Sequence, residues 1–163
     1  MKKLTAIMIL LPAALWAGAD ANWLLDTSDG ISISQDAGNT IKDESYTKDV
    51  TPSMALVCSG GGSITAQIDW KRFISSFSTE VGFKVDGGKF TWLKWKVDGS
   101  EKVTLSPSAD DTAKLINALE MGKSLLVEIT PYSQSPVEVI FDLKGITKNC
   151  CELVKRSLMM EII

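Results

Sequence analysis

Three groups of side chains in this 163-residue chain have types and spacings that bear on chemistry. They are the cysteines Cys58, Cys150 and Cys151, the carboxylates Asp69 and Asp110-Asp111, and the tryptophans Trp92 and Trp95. Histidine is absent. Its absence excludes His-dependent triads, HExxH metal sites and Cys/His zinc fingers, and removes the usual proton shuttle near neutral pH. Paired aspartates can hold a metal or move protons. Asp110 and Asp111, however, follow Ser108 at the spacing of a helix cap, which accounts for them without a ligand. The run Gly60-Gly61-Gly62 is not followed by a helix starting Lys-Ser/Thr, so it reads as a turn and not as a phosphate cradle. No catalytic, metal-binding or cofactor-binding residue is expected, and the chain is not expected to be an enzyme.

The cysteines are too few for a small disulfide scaffold. Cys58 falls on the apolar face of an expected hairpin and Cys150 on the apolar face of an expected final helix, with Cys151 turned about 100° away. In an oxidising compartment Cys58 and Cys150 are the natural pair, with Cys151 as the alternative partner. The bridge would close a long loop and stabilise by about 4 kcal/mol in the chain-entropy model. Cys150-Cys151 lacks the CxxC spacing of a redox pair.

The elements that must position these residues are mostly strands. Met54, Leu56 and Cys58 share one face, as do Ile64, Ala66, Ile68 and Trp70. Pairing Cys58 with Ile64 and Leu56 with Ala66 gives a hairpin with one apolar side. Val81, Phe83 and Val85 alternate up to Asp86-Gly87-Gly88, and Phe90 to Val97 runs to Asp98-Gly99, so two turns define a meander. Trp92 and Trp95 are three apart, so an extended strand points them to opposite sides, one into the core and one partly exposed, either as a partly covered surface tryptophan or as a contact for a partner or glycan. Ser108 caps a helix whose Leu115, Ile116 and Leu119 line one face, and Gly122 is expected to end it in the C′ position. Lys123 to Thr130 and Val137 to Leu143 are the last strands. Pro131 to Pro136 forms the loop between them, offering Tyr132 and Gln134 as contact residues. Gly145 then opens a second amphipathic helix carrying Ile146, Cys150, Leu153, Val154 and Leu158. The expected fold is α+β, mainly antiparallel β (a sandwich or curled sheet), with two helices packed on it.

Residues 1–21 have the layout of a secretory signal peptide. Lys2 and Lys3 precede an apolar stretch from Leu4 to Leu15, and small residues at Ala17, Gly18, Ala19 and Ala21 allow cleavage after Ala19 or Ala21. The stretch is too short to span a membrane, which takes about 20 residues. Residues 22–163 are expected to form a single β-rich domain in the bacterial periplasm or secreted beyond it, with no membrane span after cleavage. Loss of Lys2 and Lys3 from the 17 basic residues, against 20 acidic ones, takes the net charge from −3 to −5, or to −4 when Asp20 is lost too. That balance does not favour nucleic acid.

Several segments resemble the VasI/TagO-type proteins associated with type VI secretion, a family with prophage-borne relatives. They are Ala55 to Cys58 before the glycine turn, Ile68 to Phe73, Val81 to Gly88, Leu93 to Trp95, Thr130 to Pro136 and Phe141 to Gly145. The likeness runs from about Leu56 to the last helix. It implies a secreted or periplasmic accessory protein with no catalytic residue to carry over. In the family pattern the C-terminal cysteine falls near Ser157, seven residues after Cys150, on the same helix face about 10 Å along the axis.

The expected function is therefore that of a non-catalytic periplasmic interaction protein that contacts envelope proteins and the cell wall. Trp92, Trp95, Tyr132 and Gln134 are its candidate contact residues. One alternative is a prophage-encoded envelope protein that modifies the host cell, by phage exclusion or inhibition of a cell-wall enzyme. Another is a peptidoglycan-acting enzyme using Asp69 or Asp110, which would need two carboxylates about 5 to 10 Å apart in a cleft.

Overall fold

The computed structural model describes residues 23–28, 30–59 and 63–146. The expected leader, the expected turn at Gly60–Gly62 and the expected second helix with Cys150 and Cys151 lie outside the described residues, which contain one helix.

In chain order the strands are β1 (Leu24–Asp26), β2 (Ile31–Asp36), β3 (Ile41–Lys42), β4 (Asp49–Val50), β5 (Ser53–Cys58) and β6 (Ile64–Asp69). There follow β7 (Ser78–Val85), β8 (Thr91–Val97), β9 (Val103–Leu105), helix α1 (Ala109–Met121), β10 (Ser124–Ile129) and β11 (Val137–Asp142). Nine of the strands form one antiparallel sheet in the order β1-β2-β5-β6-β9-β8-β7-β10-β11, and β3 pairs with β4 in a small hairpin. The fold is thus mainly antiparallel β, built on one continuous sheet and not on two stacked ones, with α1 packed against it.

Alternation explains the ladder. The β5–β6 hairpin has the register Cys58↔Ile64 and Leu56↔Ala66 that its apolar rows demand. Met54, Leu56, Ala66 and Ile68 are all fully buried on one face. Asp86 and Gly87 both have positive φ (50° and 72°), and Gly88 N donates to Val85 O at 2.9 Å, the backbone of a tight hairpin turn between β7 and β8. The next turn differs from the simple Asp-Gly pattern. The left-handed residue there is Glu101 (φ 62°) and not Gly99, and Asp98 Oδ1 accepts from Ser100 N and Oγ.

Helix α1 begins as expected, with Ser108 Oγ accepting from Asp111 N and donating to Asp111 Oδ2, and Leu115, Ile116 and Leu119 are buried. Its end requires a correction. Gly122 has an ordinary φ of −98° and is not in the left-handed region. A side chain is excluded there because a β-carbon would collide with Val85 Cγ1.

The long-range topology is not a string of local hairpins. The chain leaves β6, crosses one end of the sheet through residues 70–77, and re-enters as β7, three places away. Strands β7, β8 and β9 then return hairpin by hairpin until β9 lies beside β6, which makes a Greek key entered through its long connection. The sheet also curls. Gly38, just after β2, donates from its backbone N to Ile140 O on β11 at 2.7 Å, although β2 and β11 lie at opposite sides of the strand order. Asn39 completes this seal: its Nδ2 donates to Glu138 O at 3.0 Å, and its Oδ1 accepts from Ile140 N at 2.8 Å. One side chain thereby caps backbone groups of an edge strand that would otherwise invite foreign pairing. The sheet itself stays open.

Candidate functional site

At the end of the sheet crossed by residues 70–77, three connections are tied together by one cation. Lys71 is left-handed (φ 58°), a conformation supported by Asp69, whose carboxylate accepts from Lys71 N at 2.9 Å and pairs with Lys71 Nζ at 2.6 Å. Trp70 and Arg72, on either side of it, are both fully buried. Trp70 Nε1 donates to Thr104 Oγ1 at 3.0 Å. The Arg72 guanidinium donates to Lys42 O on β3 and to Gln134 Oε1, with the Tyr46 ring 5.9 Å away. Arg72 Nε has no partner, so this buried cation is held by neutral acceptors and an aromatic face.

The Pro131–Gln134 loop is pinned to the same cluster. Tyr132 N donates to Ile74 O at 2.9 Å, and Gln134 N donates to Pro131 O at 3.0 Å. Gln134 therefore works as a strut between Arg72 and the loop, while Tyr132 projects outward, 74% exposed. Tyr46 (55%) and Phe77 (83%) are exposed on the connections tied to this end. Asp43, at the base of the β3–β4 turn, has its carboxyl pulled below the usual range. Burial works against ionisation there, but bonds from Thr47 N, Ser45 Oγ and Lys48 N outweigh it.

The outer face of β7, β8, β10 and β11 carries a second arrangement. Trp92, Gly82, Glu128 and Glu138 are successive cross-strand partners in one row. Trp92 leans over Gly82 and stacks with Phe90, ring centroids 5.4 Å apart, and Lys84 Nζ lies 4.7 Å from the Phe90 centroid. The Glu128 carboxyl is pushed above the usual glutamate range by burial first, then by its hydrogen bond to Glu138 and that residue's charge; Lys84 partly opposes this.

The four expected contact residues separate. Tyr132 is exposed and Gln134 supports it from within. Trp92 is 45% exposed, whereas Trp95 is 1% exposed in the core and is withdrawn as a contact residue. The spacing of three that sends one tryptophan outward necessarily sends the other in. Asp69 is committed to Lys71, and Asp110 sits in the first turn of α1 on another element. The carboxyls that do meet are Glu128 and Glu138. A sequence signal for them exists, since the β10–β11 hairpin register places them opposite each other. They face each other directly across the β10–β11 ladder on the outer side of the sheet, not across a cleft.

Cys58 is disulfide-bonded, and its partner falls outside the described residues. Among the described residues, no group of three or more His, Cys, Asp or Glu could hold a metal ion, and no helix is long and apolar enough to cross a membrane.

No family model matches the chain, and no curated protein does. Among solved structures it is similar to invasion associated protein B from Bartonella henselae, at 13% identity and a TM-score of 0.50, over 88% of this chain and 96% of that one. At that identity the likeness concerns the fold alone.

Proposed function

We propose that this chain is a non-catalytic interaction protein of the bacterial periplasm, an accessory to an envelope-spanning assembly of the kind its VasI/TagO-like segments imply. The observation that carries the reading is the clamp formed by Arg72 and Gln134. A buried guanidinium is costly unless its hydrogen bonds are met. Here that cost goes into holding two loops that present Tyr46 and Tyr132 to solvent. Exposed tyrosines on rigid loops suit protein recognition, because they offer area and a hydroxyl at little entropic cost. The leader with its small-residue cleavage sites and the disulfide at Cys58 both suit an oxidising compartment outside the cytosol.

A photo-crosslinking amino acid placed at Tyr132 in intact cells tests this reading. The expected result is capture of an envelope protein, with much less capture from the same probe at Lys114 on α1, and loss of capture when Arg72→Met releases the loop. Capture dominated by a cytosolic protein, or equal capture from Tyr132 and Lys114, would overturn it.

A further inference from the structure

The outer-face row has a feature that stability alone does not require. Glycine within a strand weakens it, yet Gly82 occupies the middle of β7, paired on both sides. What it permits is the flat approach of Trp92. A β-carbon at Gly82 would come within 2.6 to 2.8 Å of three atoms of the indole six-membered ring. One face of the ring is therefore laid against the backbone, and Trp92 remains 45% exposed. Phe90 extends the aromatic surface. Next in the row, beyond Gly82, come Glu128 and Glu138, directly opposite each other on β10 and β11, two carboxyls that offer acceptors for sugar hydroxyls beside the ring.

From this geometry we infer that the Trp92 face is a binding platform for a chain of uncharged pyranose sugars. One sugar would stack its C–H face on the indole, and its hydroxyl or acetamido groups would bond to the Glu128–Glu138 carboxyls. The chemistry matches part by part. A pyranose has an apolar face that gains dispersion energy on a flat aromatic ring, and a polar edge that needs paired donors and acceptors. The surroundings favour a narrow ligand over a protein partner. Glu80, Lys84, Lys94 and Lys96 border the aromatic pair on β7 and β8, so the apolar strip is far smaller than the roughly 800 Å² that each side of a stable protein interface buries. The carboxyl pair disfavours anionic sugars. The platform is independent of the Tyr132 loop, so either can fail without the other.

The test is titration of the purified mature protein with chitohexaose and cellohexaose, with a hyaluronan hexasaccharide as the uronate-bearing control. Binding is read by tryptophan fluorescence and by two-dimensional NMR. The expected result is saturable binding of an uncharged hexasaccharide with NMR shifts centred on Gly82, Trp92 and Glu128. Affinity should fall at least tenfold in Trp92→Ala and at least threefold in Glu138→Gln, and stay unchanged in Lys114→Ala on α1. Trp92→Ala uncovers Gly82 and could perturb the sheet; the wild-type shift map and Glu138→Gln keep the inference exposed to refutation in that event. No binding of either uncharged sugar at millimolar concentration, shifts centred elsewhere, or preference for hyaluronan would overturn it.

Discussion

The indole of Trp92 lies so close over Gly82 that a β-carbon on the glycine would reach within 2.6 Å of the ring. Neither residue makes sense alone: the glycine leaves a gap in the strand and the tryptophan would otherwise stand free in solvent. Gly82→Ala should lift the ring and destabilise the protein by about 1–3 kcal/mol, the range for overpacking. Urea unfolding should register this as a lower midpoint, together with a red-shifted tryptophan emission in the folded state.

Arg72 should behave as a structural tie. Arg72→Ala removes the donors to Lys42 O and Gln134 Oε1 and should cost about 3 kcal/mol, the scale of losing hydrogen bonds to a charged group in a buried setting. Arg72→Met keeps much of the volume without a buried cation and should cost less. Hydrogen exchange should accelerate in the β3–β4 turn and in residues 131–136 for both variants, while the β5–β6 hairpin stays protected.

Asp86 links the β7–β8 turn to the start of β10. Its Oδ1 accepts from Lys123 N and Ser124 N, both at 2.9 Å. Those backbone bonds, Lys123 first, with the Lys123 charge added, hold its carboxyl below the usual aspartate range. A depressed carboxyl stabilises the fold above the unfolded-state pKa, and that contribution disappears as pH falls through the folded-state pKa. Asp86→Ala should therefore be less stable than wild type at pH 7, with the difference shrinking in strongly acidic solution. Asp86→Asn, which keeps an acceptor and tolerates the positive φ, should lie between them.

Glu128 runs the other way. Burial and Glu138 raise its pKa, so the folded state holds its proton more tightly than the unfolded one, and stability falls as pH rises from the ordinary glutamate range through the raised value. Glu128→Gln should flatten that decline and stabilise the protein at neutral pH. Solvent screening keeps the gain below about 1 kcal/mol. Thermal melts at pH 4 and pH 7 are the measurement.

The disulfide at Cys58 should pair with Cys150. Cys150→Ser should then lose the link in non-reducing peptide maps and cost up to about 4 kcal/mol, while Cys151→Ser keeps both the link and the stability. The reverse pattern would assign Cys151.

Much of the local structure was legible because it is encoded locally. The Cys58↔Ile64 register follows from two apolar rows, the Asp86-Gly87 turn from residues that tolerate positive φ, and the α1 cap from Ser108 and Asp111. What escaped depends on distant partners. Nothing in Gln67-Ile68-Asp69 announces that β9 will pair there after a detour through β7 and β8. Nothing in Lys71-Arg72 announces that the left-handed turn at Lys71 will send the arginine inward. Gly122 reads as a left-handed cap, but its constraint comes from Val85, 37 positions earlier in the chain. The Glu128–Glu138 pair could have been found by continuing the hairpin register across residues 130–136, yet its significance rests on Gly82 and Trp92 in neighbouring strands.

The central claim, that this is an exported contact protein, is tested most directly by osmotic-shock fractionation of cells expressing the full chain, followed by intact-mass spectrometry under non-reducing conditions. The account predicts a periplasmic species beginning at Asp20 or Asn22 and lighter by the two hydrogens of one disulfide. A cytosolic species that retains the leader from Met1 and carries three free thiols would contradict it.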